Sequence, residues 1–282
     1  MRRAPALALA LLLGVACQAP PATATPAPTG AQVGGTLRVA VPAEVTSFDT
    51  WNGDPASLIA SRQIFETLVE VDPATSRITP ALASSWQMTN DGASWTFTLR
   101  EAVRFHDGTP LDSASVVASF DRGRATRAPA YRALFDDPSA IVSVQAVDPR
   151  TVRFDLRAPF GPFLAHLAAP QTAIARDGAG TGPFAAASAA LAPDGTLTLR
   201  RNDSYWRRDA GGKELPYLDG LVLRPVRDAA SRLAELRAGR VEVALALPIA
   251  QASSARSDPS LVVSPRNDAA LASLGIDVTA AP

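Results

Sequence analysis

One cysteine, two histidines and two methionines are all that 282 residues contain of those types. A lone cysteine cannot close an intramolecular disulfide or build a thiolate metal cage. Neither His106 nor His166 has a second histidine at a ligand spacing, so no metal site and no cofactor is expected. Neither sign of charge is in excess, since 27 Lys and Arg balance 27 Asp and Glu. No basic run is present to neutralise a phosphate backbone, which argues against nucleic acid as a partner. Phosphate loops ending in lysine and serine elbows are also missing. What is there, 47% hydrophobic and 19% charged residues, suits a globular chain with a sizeable core in one or two domains.

The N-terminus has the order of an export signal. Arg2 and Arg3 precede the apolar run from Ala6 to Leu13, and Gly14-Val15-Ala16-Cys17 follows. That run is too short to span a bilayer as a finished helix. Cys17 after small residues matches a bacterial lipoprotein cleavage box, with Gly14 where leucine is usual, and is the candidate lipidation site. An ordinary signal cut after Ala22-Thr23-Ala24 is the alternative, and both place the protein outside the cytoplasm. Residues 1–17 are thus read as a lipoprotein-type signal and 18–35 as a Pro/Ala/Thr-rich tether. With almost no core-forming residue the tether stays extended, and at about 3.1 Å per residue it reaches roughly 45 Å.

Globular structure is expected over 36–282. Leu37, Val39 and Val41 alternate with polar or small residues, which predicts a strand with one buried face. A helix is expected from Ser57 to Val69, with Leu58, Ser61, Phe65, Leu68 and Val69 on its buried stripe and Arg62 and Glu66 elsewhere. The Trp95-Phe97-Leu99 and Val152-Phe154-Leu156 alternations predict two half-buried strands, and Leu197 with Leu199 another. Asp112 is placed to cap a helix carrying Val116, Val117 and Phe120. Leu221–Val226, the cap Asp228, a helix with Leu233 and Leu236, the stop Gly239 and Val241-Val243-Leu245 read as a parallel, right-handed βαβ unit. The fold class is therefore α/β, mixed α+β with a mixed sheet.

Few residues suit chemistry. His106 beside Asp107 offers half of an acid/base pair, or else a turn held by its own backbone. The glycines at 178, 180 and 182 faintly suggest a phosphate cradle, but no capped helix follows, so a turn or hinge is the better account. Exposed aromatics remain. Trp51, in the loop Trp51-Asn52-Gly53-Asp54-Pro55, either stacks on a ligand or folds back onto the domain, and Tyr131 lies in a polar loop. Trp86, Trp95 and Trp206 belong to apolar patterns and are expected in the core.

Ordered motifs then give a resemblance. Gly34-Gly35-Thr36-Leu37, Thr46-Ser47-Phe48-Asp49, Phe65-Glu66-Thr67-Leu68-Val69 and Pro80-Ala81-Leu82 come first. Trp95 to Arg100, Val103-Arg104-Phe105-His106-Asp107-Gly108, Gly180-Thr181-Gly182-Pro183-Phe184, Asn202-Asp203-Ser204-Tyr205-Trp206 and Arg232 through Val243 follow. Together these resemble the bacterial extracellular solute-binding protein family five. The resemblance implies a periplasmic-binding-protein-like first lobe, with the second lobe missing after Leu274-Gly275-Ile276-Asp277. It further implies an ABC-importer component, not an enzyme, that presents peptides or similar small solutes to a membrane permease. Trp51, Asn52 and Tyr131 are the implied ligand contacts. A truncated, non-transporting remnant is the alternative, and an exported hydrolase using His106 and Asp107 the third reading.

Overall fold

A computed structural model describes residues 33–48, 55–89, 91–126, 140–187 and 191–264. Two main sheets organise them. The first has five strands in the order β11-β1-β10-β9-β8: β1 (Thr36–Val41), β8 (Phe184–Ala186), β9 (Leu197–Arg201), β10 (Gly220–Pro225) and β11 (Val243–Ala244). The second has four antiparallel strands in the order β4-β5-β7-β6: β4 (Ala83–Met88), β5 (Ser94–Leu99), β6 (Ile141–Asp148) and β7 (Thr151–Leu156). A short β2/β3 hairpin, Val69–Val71 with Ile78–Pro80, accompanies them. The helices are α1 (Pro55–Ile64), α2 (Ser113–Thr126), α3 (Phe163–Leu167), α4 (Ala229–Arg237) and α5 (Ile249–Arg256). The mixed α/β class expected from the sequence is the class observed.

Each sheet has its own apolar core, and the alternations place the second one as expected. Trp95, Phe97 and Leu99 of β5 and Val152, Phe154 and Leu156 of β7 point into one cluster with Val116 and Phe120 of α2 and Phe163 of α3. Phe154 is its centre, with edge-on contacts to Phe97 at 5.4 Å, Phe120 at 5.0 Å and Phe163 at 5.6 Å, an arrangement that suits ring quadrupoles. The Asp112 carboxylate accepts the Ser115 amide at 2.8 Å, starting α2 where the cap residue predicts. The second cluster packs Val39, Val41, Leu197, Leu199, Leu221 and Leu223 against Ala60 and Ile64 of α1.

Two expectations are corrected. The first helix ends at Ile64, not Val69, and its buried stripe is Ser57, Ala60, Ser61 and Ile64. Beyond it the chain runs extended, because Glu66 bridges to Ile174, whose amide donates to the Glu66 carbonyl at 2.8 Å. Strand β1 is buried on both faces near its end, with Ala40 as inaccessible as Val41, since it lies inside the sheet rather than half in solvent. Strands β10 and β11 are parallel, as the βαβ reading expected, with β1 inserted between them. The α4 boundaries are as read. Asp228 accepts the Ser231 amide at 2.7 Å, and Gly239 at φ +66° closes the helix with Gly239 N–H to Leu236 O and Arg240 N–H to Glu235 O, the paired bonds of a Schellman end.

The two cores meet at Glu66. Phe65 belongs to one and Leu68 to the other, and across the bridge Ala173 and Ala175 alternate with Ile174 in the same way. The Glu66 carboxylate, expected off the buried stripe, is buried at 7% side-chain exposure. Its Oε1 accepts from Tyr205 Oη at 2.9 Å and Arg207 Nε at 3.2 Å. Its Oε2 accepts from Trp206 Nε1 at 2.8 Å and Thr181 Oγ1 at 2.9 Å. Burial pushes this carboxyl up from its usual range, against Arg207 and the neutral donors, which pull it down. Arg207 also pairs bidentately with Glu70 at 2.7 Å for both bonds. A buried acceptor serving four donors is costly to remove, because the donors stay buried without a partner. Glu66→Ala is expected to cost about 3–5 kcal/mol in denaturant unfolding; a loss below about 1 kcal/mol would show that the donors find other partners.

Candidate functional site

In an open α/β sheet, a ligand crevice forms outside the carboxyl ends of the parallel strands, where the order of connections reverses. Here that place is the end of β1, flanked on either side by β10 and β11. Three segments leave it: Pro42–Phe48 after β1, Val226–Asp228 after β10 and Leu245–Pro248 after β11. They are tied back to β1 and to each other. Val226 N–H donates to Val41 O at 2.8 Å, and Leu245 N–H donates to Ala40 O at 3.0 Å. The Ser57 hydroxyl, in the first turn of α1, accepts the amides of Thr46 at 3.1 Å and Ser47 at 3.2 Å. Arg227 pairs with Glu44 at 3.0 Å in a solvated position, which contributes little by itself. The amino end of α4 also starts at this edge, where the Asp228 carboxylate caps it.

The expected contacts Trp51, Asn52 and Tyr131, and the lipidation candidate Cys17, lie outside the described residues. His106 and Asp107 are described, and they do not form an acid/base pair. His106 Nδ1 accepts the Gly180 amide at 3.3 Å, so its Nε2 carries the proton and meets Gly182 O at 3.0 Å. Asp107 instead accepts from Thr109 N–H at 2.9 Å and its hydroxyl at 2.6 Å. The turn reading is therefore the observed one. The glycine run is no phosphate cradle. Gly182 N–H donates to Ile64 O at 2.9 Å, and a Cβ on Gly180 would lie 1.9 Å from that same carbonyl, so glycine is required for close approach to the end of α1. Gly178, at φ +83°, supplies the turn before it. Trp95 is buried as expected, Trp86 packs on its cluster, and Trp206 serves Glu66 with Arg100 and Arg207 each 4.7 Å over its ring.

Two important residues had no role in the sequence reading: Glu66 and Arg232. Both break an apolar context, Glu66 between Ile64-Phe65 and Leu68-Val69 and Arg232 beside Leu233, and that interruption is the available signal. Among the described residues, no cluster of three or more His, Cys, Asp or Glu could hold a metal ion. No described helix is long and apolar enough to cross a membrane.

A lobe of this kind, with a split parallel unit and an antiparallel companion sheet, has the organisation of a periplasmic binding protein. The chain belongs to the bacterial extracellular solute-binding proteins, family 5, whose middle-region model matches residues 77–282. It is 29% identical over 243 residues to the glutathione-binding protein GsiB of Salmonella paratyphi A, covering 80% of this chain and 46% of that protein. Among solved structures, the ABC transporter-associated periplasmic binding protein DppA of Helicobacter pylori, in complex with the peptide STSA, superposes with a TM-score of 0.70. That match has 27% identity and covers 81% of this chain and 50% of DppA. The binding protein AgaA of A. tumefaciens, in complex with agropinic acid, has 26% identity and a TM-score of 0.71, covering 80% and 46%. The chain thus spans about half the length of the relatives it matches.

The His106 geometry sets a pH dependence. Burial holds its imidazole below the ordinary value, against the Gly182 bond and Asp107. A group whose folded value is depressed binds fewer protons folded than unfolded, so its stabilisation is present above about pH 6.5 and is lost as pH falls through the folded value. His106→Gln is expected to flatten the fall in Tm between about pH 7 and pH 5 relative to the parent. Parallel curves for the two proteins would contradict this.

Proposed function

We propose that this protein is the extracytoplasmic solute-binding component of an ABC importer, taking a peptide or similarly small solute and presenting it to a membrane permease. Membership of the family carries the reading, and the open carboxyl edge of β11-β1-β10 supplies a place for the solute. The substrate class is proposed from the relatives' cargoes, glutathione for GsiB and a peptide for DppA. In this reading Trp51 and Asn52, which follow Phe48 in the sequence, and Tyr131, which follows α2, contact the solute. The protein performs no chemistry on its cargo. Residues 1–17 act as an export signal, Cys17 carries the lipid anchor, 18–35 hold the binding domain away from the membrane, and the domain starts at residue 36.

Thermal unfolding of the protein, alone and with glutathione, STSA or a mixed di- and tripeptide pool, tests this. A ligand at about 100 times its Kd adds roughly 2.7 kcal/mol, which raises the Tm of a domain this size by several degrees. A cooperative transition that none of these probes moves would remove peptides and glutathione as the cargo.

A further inference from the structure

Arg232, on the first turns of α4, is 3% exposed, and among the described residues no carboxylate lies within ion-pairing distance of it. Its side-chain hydrogen bonds all go to backbone carbonyls, while the Asp228 carboxylate acts on it through electrostatic attraction alone. Nη1 donates to Val226 O at 2.7 Å and Arg227 O at 2.8 Å. Nε donates to Leu245 O at 2.9 Å and Nη2 to Ala246 O at 2.8 Å. These four acceptors belong to two segments, one after β10 and one after β11, which do not pair with each other because β1 lies between them. One guanidinium therefore spans the end of β1 and ties together both flanks of the crevice. It also holds Ala246 in a left-handed conformation at φ +52°, which a residue with a Cβ adopts only under constraint.

We propose that Arg232 is a positioning residue for solute binding. Without touching the solute, its planar fork sets the spacing and orientation of Val226–Arg227 and Leu245–Ala246, and the affinity of the site depends on that spacing. A lysine keeps the charge but lacks the fork that meets four carbonyls in two directions. The inference rests on the reading of the carboxyl edge as the solute site.

Hydrogen exchange and solute affinity, measured on the whole protein, separate the two ideas. Arg232→Lys is expected to speed exchange of the Val226 and Leu245 amides together by about tenfold or more, with the amides of β5 and β7 unchanged. Val152→Ala, in the other sheet, serves as a comparator that lowers stability without touching the crevice. Affinity for STSA or glutathione is expected to fall about tenfold in Arg232→Lys and to stay unchanged in Val152→Ala. Ala246→Gly keeps the fold, since glycine accepts the left-handed conformation, and is expected to weaken binding by loosening the same segment. Unchanged exchange, or exchange raised equally throughout the chain, would overturn the positioning role. So would loosened segments with unaltered affinity. A wild-type protein that binds neither probe would instead remove the solute reading on which the proposal rests.

Discussion

A single buried carboxylate holds the two halves of this domain in one arrangement. Glu66 receives donors from Thr181 and from the consecutive residues Tyr205, Trp206 and Arg207, so segments far apart in sequence converge on it. Apolar packing alone would let the two cores slide, because hydrophobic attraction has no direction. The directional bonds to Glu66, and the glycine contact between Gly182 and the end of α1, fix the distance and the angle. The same segments hold the His106 turn, so one network links that turn to Glu66 and to the end of α1.

At the carboxyl edge of the five-stranded sheet, Arg232 does for the crevice what Glu66 does for the cores. Each is a charged group taken out of water, and each is paired so that the cost of burial becomes a geometric constraint. In Glu66 the partners are side chains. In Arg232 they are carbonyls, which makes the restraint depend on backbone path and only weakly on the identity of the residues in the segments.

Elements set by local pattern were legible in the sequence. The alternations of β5 and β7 gave their buried faces, Asp112 and Asp228 marked helix starts, and Gly239 marked a stop, because each depends on neighbours a few residues away. The misplacements have a non-local origin. Leu68 and Val69 fit a helical stripe, but Glu66 is bridged to Ile174 and Val69 pairs with Pro80 of β3, so the helix stopped early. Insertion of β1 between β10 and β11 cannot be read from any window of the chain. Glu66 was read as a helix residue off the buried stripe because its donors lie more than a hundred positions away. The family was legible from the order of its motifs, whereas the topology that creates the crevice was not.

The central claim is that solute binds at the carboxyl ends of β1, β10 and β11. Amide chemical shifts of the isotope-labelled protein, followed while STSA or glutathione is added, test it most directly. The account predicts changes concentrated in Glu44–Phe48, Val226–Asp228 and Leu245–Leu247. Changes confined to the outer face of the four-stranded sheet, or to the surroundings of Glu66, would contradict it.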